Sequence, residues 1–297
     1  MRLRRLTTSA AALVLALSLT ACGGDDDDDN ASQDNTPSGG ASASASAVSG
    51  TLGRLQGADK LVVGVKFDQP GVGEKDPATG KLSGFDIEIA KIIAKALGID
   101  SGDIEFKETV SANREPFIKA RTVDLVIASY SITEERRKVV SQAGPYYETG
   151  QQLLVRSDDS SINGPDDLTG KKVCSVSGST SIKTVEEKYG AAPAPFATYT
   201  ECVQQLVNKS VDAVTTDGAI LLGYAAKQPD KVKVVGDPFS QERYGIGFAF
   251  GDTQMCEFLI DTLQAAFDDG SWAQAFADTL GKSGVSAPPV PQLDDKC

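Results

Sequence analysis

The chain has 297 residues, 41 of them acidic and 29 basic, a formal charge of −12, and no histidine. That suits one large or two modest globular domains. It excludes mechanisms that need an imidazole, from the Ser-His-Asp triad to histidine-ligated zinc or haem, and the acidic balance argues against nucleic acid.

Residues 1–21 read as a signal peptide. Arg2, Arg4 and Arg5 form a positive start, and 10–19 is an apolar stretch too short to span a bilayer. Leu19-Thr20-Ala21-Cys22 fits a lipoprotein box in which Cys22 becomes the lipid-bearing N-terminus; the alternative is an ordinary cleaved signal. Loss of 1–21 leaves 26 basic and 41 acidic residues, a charge of −15. Residues 22–50 carry six Asp, no basic residue and almost no apolar bulk. Such a segment cannot offset its ordering entropy, so a disordered tether is expected there.

From 61 onward strand-like and helix-like stretches alternate, the pattern of an α/β fold. LVVGV at 61–65 is a short apolar strand, and FDIEIAKIIAKAL at 85–97 has helical apolar spacing with a Gly98 stop. Strands are expected at 104–107 and 124–129, with a short helix opening near Asn113. Another helix starts at Thr133, where a hydroxyl cap precedes Glu134 and Glu135.

A second series follows: strand QQLLVR, a turn at 166–170, strand KKVCSVS, helix SIKTVEEKY, the stretch PFATY and a helix at 201–209. Strand DAVTTD, helix GAILLGYAAK and strand KVKVV complete it. YGIGFAF then leads to a long helix, DTQMCEFLIDTLQAAF, and a last one near 272–280. Two crossovers, near 146–151 and 238–245, would join two lobes, giving lobe 1 as 51–146 plus 245–297 and lobe 2 as 147–244. A ligand cleft is expected between them, at the carboxyl ends of strands.

Besides Cys22, the chain has Cys174, Cys202, Cys256 and Cys297. An even number outside the cytoplasm permits disulfides, with three connectivities, against the alternative of four free thiols. Pairing within one region favours Cys174–Cys202 and Cys256–Cys297.

The polar run from Ser129 through Ser131 to Arg136 begins at a strand end and enters a helix start, where free N–H groups suit an anion. Arg136 could grip a carboxylate bidentately. Gly178-Ser179-Thr180 repeats the design and lacks the GxxxxGK[ST] of a phosphate loop. Asp217, at another strand end, could neutralise an ammonium. Ser111 and Arg114 lie after the 104–107 strand, and Lys66 ends the first. Each of these has a plainer alternative, a helix cap or a surface charge, when taken alone.

Taken together, VGVKFDQPGVG, GFDIEIAKIIAKALG, VDLVIASYSITEERRKVV, DLTGKKVCSVSGSTS, VDAVTTDGAIL and YGIGFAF resemble the bacterial extracellular solute-binding proteins of polar amino-acid ABC uptake. Within that family the likeness is greatest to actinobacterial glutamate-binding lipoproteins, over 52–285. The resemblance implies a two-lobed periplasmic-binding-protein fold in which Arg136 holds a ligand α-carboxylate, aided by Ser129, Ser131, Ser179 and Thr180. It implies that Asp217 pairs with the ammonium, and that Ser111, Arg114 and Lys66 meet a side-chain carboxylate. A histidine that some acidic-amino-acid binders use has no counterpart here; Tyr199 lies near its place.

The expectation is therefore a monomer with no enzymatic activity, no cofactor and no metal, held by lipidated Cys22 at the outer face of the membrane. It would pass glutamate, or next aspartate, to an ABC permease and its ATPase. Three cations against one acid would suit an acidic ligand. The alternatives are a glutamine or asparagine binder, a sensing module for a membrane receptor, and a dehydratase using Asp68, Glu74 or Asp217.

Overall fold

The computed structural model describes residues 49–294 and Cys297; the signal segment, Cys22 and all but the end of the 22–50 tether lie outside them. That end is folded. Ser49 donates its N–H to Gln254 Oε1 at 2.7 Å, and α1 (Gly50–Leu55) begins at once.

The first lobe grows from β1 (Leu61–Val65), whose buried residues are Leu61, Val63, Gly64 and Val65. A small antiparallel sheet follows: β2 (Asp68–Gln69), β3 (Gly73–Lys75) and β4 (Leu82–Ser83). α2 (Phe85–Ala96) buries Phe85, Ile87, Ile89, Ala90, Ile93 and Ala94, the face its periodicity predicts, and also Asp86. Then come β5 (Ile104–Glu108), α3 (Arg114–Lys119), β6 (Leu125–Val126) and α4 (Glu134–Arg137).

The expected 124–129 strand is shorter than its apolar run. Leu125 and Val126 pair with Val63 and Gly64. Ser129 then turns at φ 44°, where the chain leaves the sheet for the site.

β7 (Ser141–Thr149) closes this lobe's sheet and, after Gly150, continues as β8 (Gln151–Arg156) in the other. The second lobe adds β9 (Lys172–Val176), α5 (Thr180–Lys188), β10 (Ala192–Phe196), α6 (Tyr199–Val207), β11 (Ala213–Asp217), α7 (Gly218–Lys227) and β12 (Val232–Val235). β13 (Glu242–Phe248) returns to the first sheet, where α8 (Thr253–Asp268) and α9 (Ser271–Asp278) pack on α2.

The sheets run β5-β1-β6-β13-β7 and β10-β9-β11-β8-β12. Each has two parallel and two antiparallel pairings, so that one strand, β13 in the first and β8 in the second, runs against the other four. The two crossings lie side by side: a Cβ on Gly150 would sit 2.5 Å from Ser240 O and 2.7 Å from Pro238 Cβ. Only glycine permits that approach. Phe239 N–H donates to Gln151 O at 2.9 Å across the same joint.

Beneath the cleft, the Phe85 ring meets Tyr146, Tyr147, Trp272 and Phe276 at centroid distances of 5.7–6.1 Å. Trp272 Nε1–H donates to Tyr146 O at 2.7 Å, fixing α9 to the hinge strand. Each lobe carries one disulfide. Cys174–Cys202 joins β9 to α6, and Cys256–Cys297 ties the C-terminus to α8.

Candidate functional site

On the first lobe's wall, Arg114 opens α3, is buried, and donates from Nη1 to Ser129 O at 3.2 Å. Its Nε has no hydrogen-bond partner, and no carboxylate lies within ion-pair distance among the described residues. Burial and the neighbouring Arg136 charge lower its pKa.

Arg136 sits in the last turn of α4, behind the Thr133 cap that accepts its N–H. Its Nη1 donates to Ser131 O at 2.7 Å, and its Nη2 crosses the cleft to Gly178 O at 3.0 Å. Glu115 Oε1 lies 3.3 Å from Nε. Both guanidiniums lie over the Tyr130 ring, that of Arg114 4.8 Å and that of Arg136 4.9 Å from its centroid. Such faces attract cations.

Ser129 owes its unusual backbone to Asp86. That fully buried carboxylate accepts the Ser129 N–H at 2.7 Å and the Tyr146 hydroxyl at 2.7 Å. Burial pushes it up to about 6. A non-glycine residue at positive φ is a strained arrangement held by its surroundings.

On the second lobe's wall, Ser179 caps α5 by accepting the Ile182 N–H at 3.1 Å. Thr180 Oγ1 donates to Glu242 Oε2 at 3.0 Å. Gly178 adopts φ 78°, and a Cβ there would lie 3.0 Å from Ala112 Cα, so the lobes meet at this turn. Asp217 ends β11 fully buried; its Oδ2 accepts the Tyr244 hydroxyl and its Oδ1 has no partner. Burial, with the charge of Glu242 beside it, raises its pKa.

Arg114, Ser129, Ser131, Arg136, Ser179, Thr180 and Asp217 line one small polar void. Ser181, Tyr199 and Thr216 complete its wall. Thr216 and Ser181 carried no signal beyond their places at a strand end and a helix start. Tyr199 opens α6 and receives the Thr216 hydroxyl at 2.7 Å on its own.

Two expected residues stand behind the wall. Ser111 is buried beside the Gly178 turn. Lys66 is buried with Nζ 3.6 Å from Asp68 Oδ1 and 6.0 Å from the Tyr199 ring centroid. The charge balance also differs from three cations against one acid. Asp68 accompanies Lys66, Glu115 accompanies Arg136 and Glu242 accompanies Asp217, which leaves Arg114 as the cation of the three without a carboxylate partner among the described residues. Among those residues no cluster of metal-ligating side chains forms, and no helix is long and apolar enough to cross a membrane.

Two sheets joined by paired crossings, with a polar void walled from both sides, define a two-lobed binding protein of the periplasmic type. Residues 61–282 match the bacterial extracellular solute-binding proteins, family 3, and the chain belongs to that family.

It is similar to a glutamate-binding protein of Corynebacterium efficiens, 36% identical over 82% of this chain and 90% of that one. It is likewise similar to a glutamine-binding protein of Geobacillus stearothermophilus, 40% identical over 74% and 84%. Among solved structures, an ancestral arginine-binding protein bound to glutamine gives a TM-score of 0.71 at 38% identity, covering 75% of this chain and 99% of that one.

Proposed function

We propose that the protein captures a free acidic amino acid, glutamate foremost and aspartate next, and passes it to an ABC permease and its ATPase. In this reading it works as a monomer outside the cell, anchored by lipid on Cys22. The observation that carries the ligand class is a pair of buried, unpartnered atoms, Arg114 Nε and Asp217 Oδ1, on residues that wall the void from opposite lobes. A buried polar atom without a partner is costly. An acidic amino acid offers its side-chain carboxylate to the first and its ammonium to the second.

Arg136 and Ser131 would hold the α-carboxylate, with Ser179 and Thr180 closing over it. Arg114, backed by Lys66 and Ser111, would meet the side-chain carboxylate. The glutamate-binding relative in Corynebacterium supports the acidic choice.

A glutamine ligand is the second reading. Asp68 and Glu115 already offset two of the three cations, and the Geobacillus relative is a glutamine-binding protein. Binding rather than turnover is supported by the engagement of two carboxylates suited to acid–base work. Asp68 accepts the Tyr199 N–H, and Glu74 pairs with Lys227. A thermal-shift panel of amino acids, followed by calorimetry on the hits, tests the proposal. Glutamate should bind at least tenfold more tightly than glutamine; equal affinities would remove the acidic assignment.

A further inference from the structure

Asp68 lies outside the void, yet it touches both lobes. Its Oδ2 accepts the Tyr199 N–H at 2.7 Å, and its carbonyl oxygen accepts the Tyr224 hydroxyl. Tyr199 opens α6 and Tyr224 belongs to α7, so both bonds run from β2 into the second lobe. The Tyr199 N–H is a donor that a helix start cannot satisfy by itself, and a carboxylate there also meets the positive end of the helix.

The other oxygen, Oδ1, faces Lys66 Nζ at 3.6 Å. That ammonium is buried and has no hydrogen-bond partner. Burial lowers the Lys66 pKa, and Asp68 is the main influence opposing the fall. Without Asp68 the closed cleft would contain an uncompensated charge. One carboxylate thus serves two tasks at once, a bond across the lobes and an ion pair within the first.

We propose that Asp68 is a positioning residue that latches the second lobe onto the first and cancels the charge of Lys66 inside the closed cleft, so that it sets both the release rate and the acid-over-amide preference. This rests on the reading that the void holds an amino acid. In the same account, Arg114 is the cation left to select a side-chain carboxylate.

Asp68→Ala removes both tasks, whereas Asp68→Asn keeps an oxygen for the Tyr199 N–H and removes only the charge. Stopped-flow dissociation and calorimetry on the purified chain would read the two separately. Asp68→Ala should speed dissociation of glutamate and glutamine at least tenfold. Asp68→Asn should raise the glutamate-to-glutamine affinity ratio at least tenfold, and that rise should vanish in a Lys66→Met background.

Tyr224→Phe leaves the carboxylate and Lys66 in place, so it should speed release several-fold without moving the ratio. A purely structural role would lower thermal stability and leave the ratio alone. Release rates and ratio within twofold of the wild type in all three variants would overturn the proposal. Wild-type protein that binds neither amino acid would instead overturn the function on which it rests.

Discussion

The lobe built on β1 and the lobe built on β8 share a strand plan, four strands running one way and a fourth-placed one running against them. They turn different chemistry toward the cleft. The first presents guanidiniums from α3 and α4, with Glu115 against one of them, and holds Asp86 fully buried with two donors. The second presents hydroxyls at the start of α5 and puts Asp217 on the void with one donor. The scaffold therefore fixes where a site forms, and a few residues at strand ends fix the sign of each wall. A zwitterion can satisfy both walls only while the lobes are together.

The largest test of this division removes one wall's charge. Asp217→Asn and Arg136→Ala should each weaken every amino-acid ligand by about 3–4 kcal/mol, a loss of more than a hundredfold in calorimetry. If either variant loses affinity for only some ligands, the two walls do not act as a common amino-acid clamp.

Next come the bridges, one per lobe. Closing loops of 28 and 41 residues should contribute about 3–4 kcal/mol each. Removing Cys174–Cys202 should destabilise the second lobe, and removing Cys256–Cys297 the first, as read by hydrogen exchange within each sheet. Intact mass should rise by about 4 Da on reduction if both bridges are present.

The two buried carboxylates predict different pH behaviour. Burial raises Asp86 from 3.8 to about 6, so the folded protein keeps that proton where the unfolded chain has lost it. The associated stability is full below about pH 4 and is lost as pH rises through 6, about 3 kcal/mol in all. Asp86→Asn should flatten that part of the denaturation profile. Asp217 is raised in the same sense. Saturating ligand, by supplying an ammonium, should remove the Asp217 contribution and leave the Asp86 slope intact.

The smallest expected effect concerns selection. Arg114→Met should cost acidic ligands about 1–2 kcal/mol more than amides. Equal losses for glutamate and glutamine would shift the choice of side chain to another residue.

Much of this was readable in the chain. The apolar spacing of α2 and α8 fixed their buried faces, and Thr133, Ser179 and Asp217 stood where strands hand over to helices. β7 was hidden by Gly144-Pro145, a pair that reads as a break, although the strand runs through it to Thr149. β2, β3 and β4 are too short, at two or three residues each, to show alternation.

Asp86 looked like an ordinary first-turn acid, because nothing local tells that Ser129 and Tyr146 fold over it. The pairing of Asp68 with a helix 131 residues away depends on how the lobes meet. No local pattern carries that information.

The ring that meets both Arg114 and Arg136 has a last consequence. Two like charges held close would ordinarily call for an anion between them, and any such anion would compete with an incoming carboxylate. Tyr130 supplies its attraction through a π face, while its hydroxyl is taken by Glu115 at 2.8 Å. Its pKa is raised far beyond the physiological range by burial, so it stays neutral. A neutral ring that no ligand can displace thus eases the two guanidiniums' repulsion without setting a competing anion in the site.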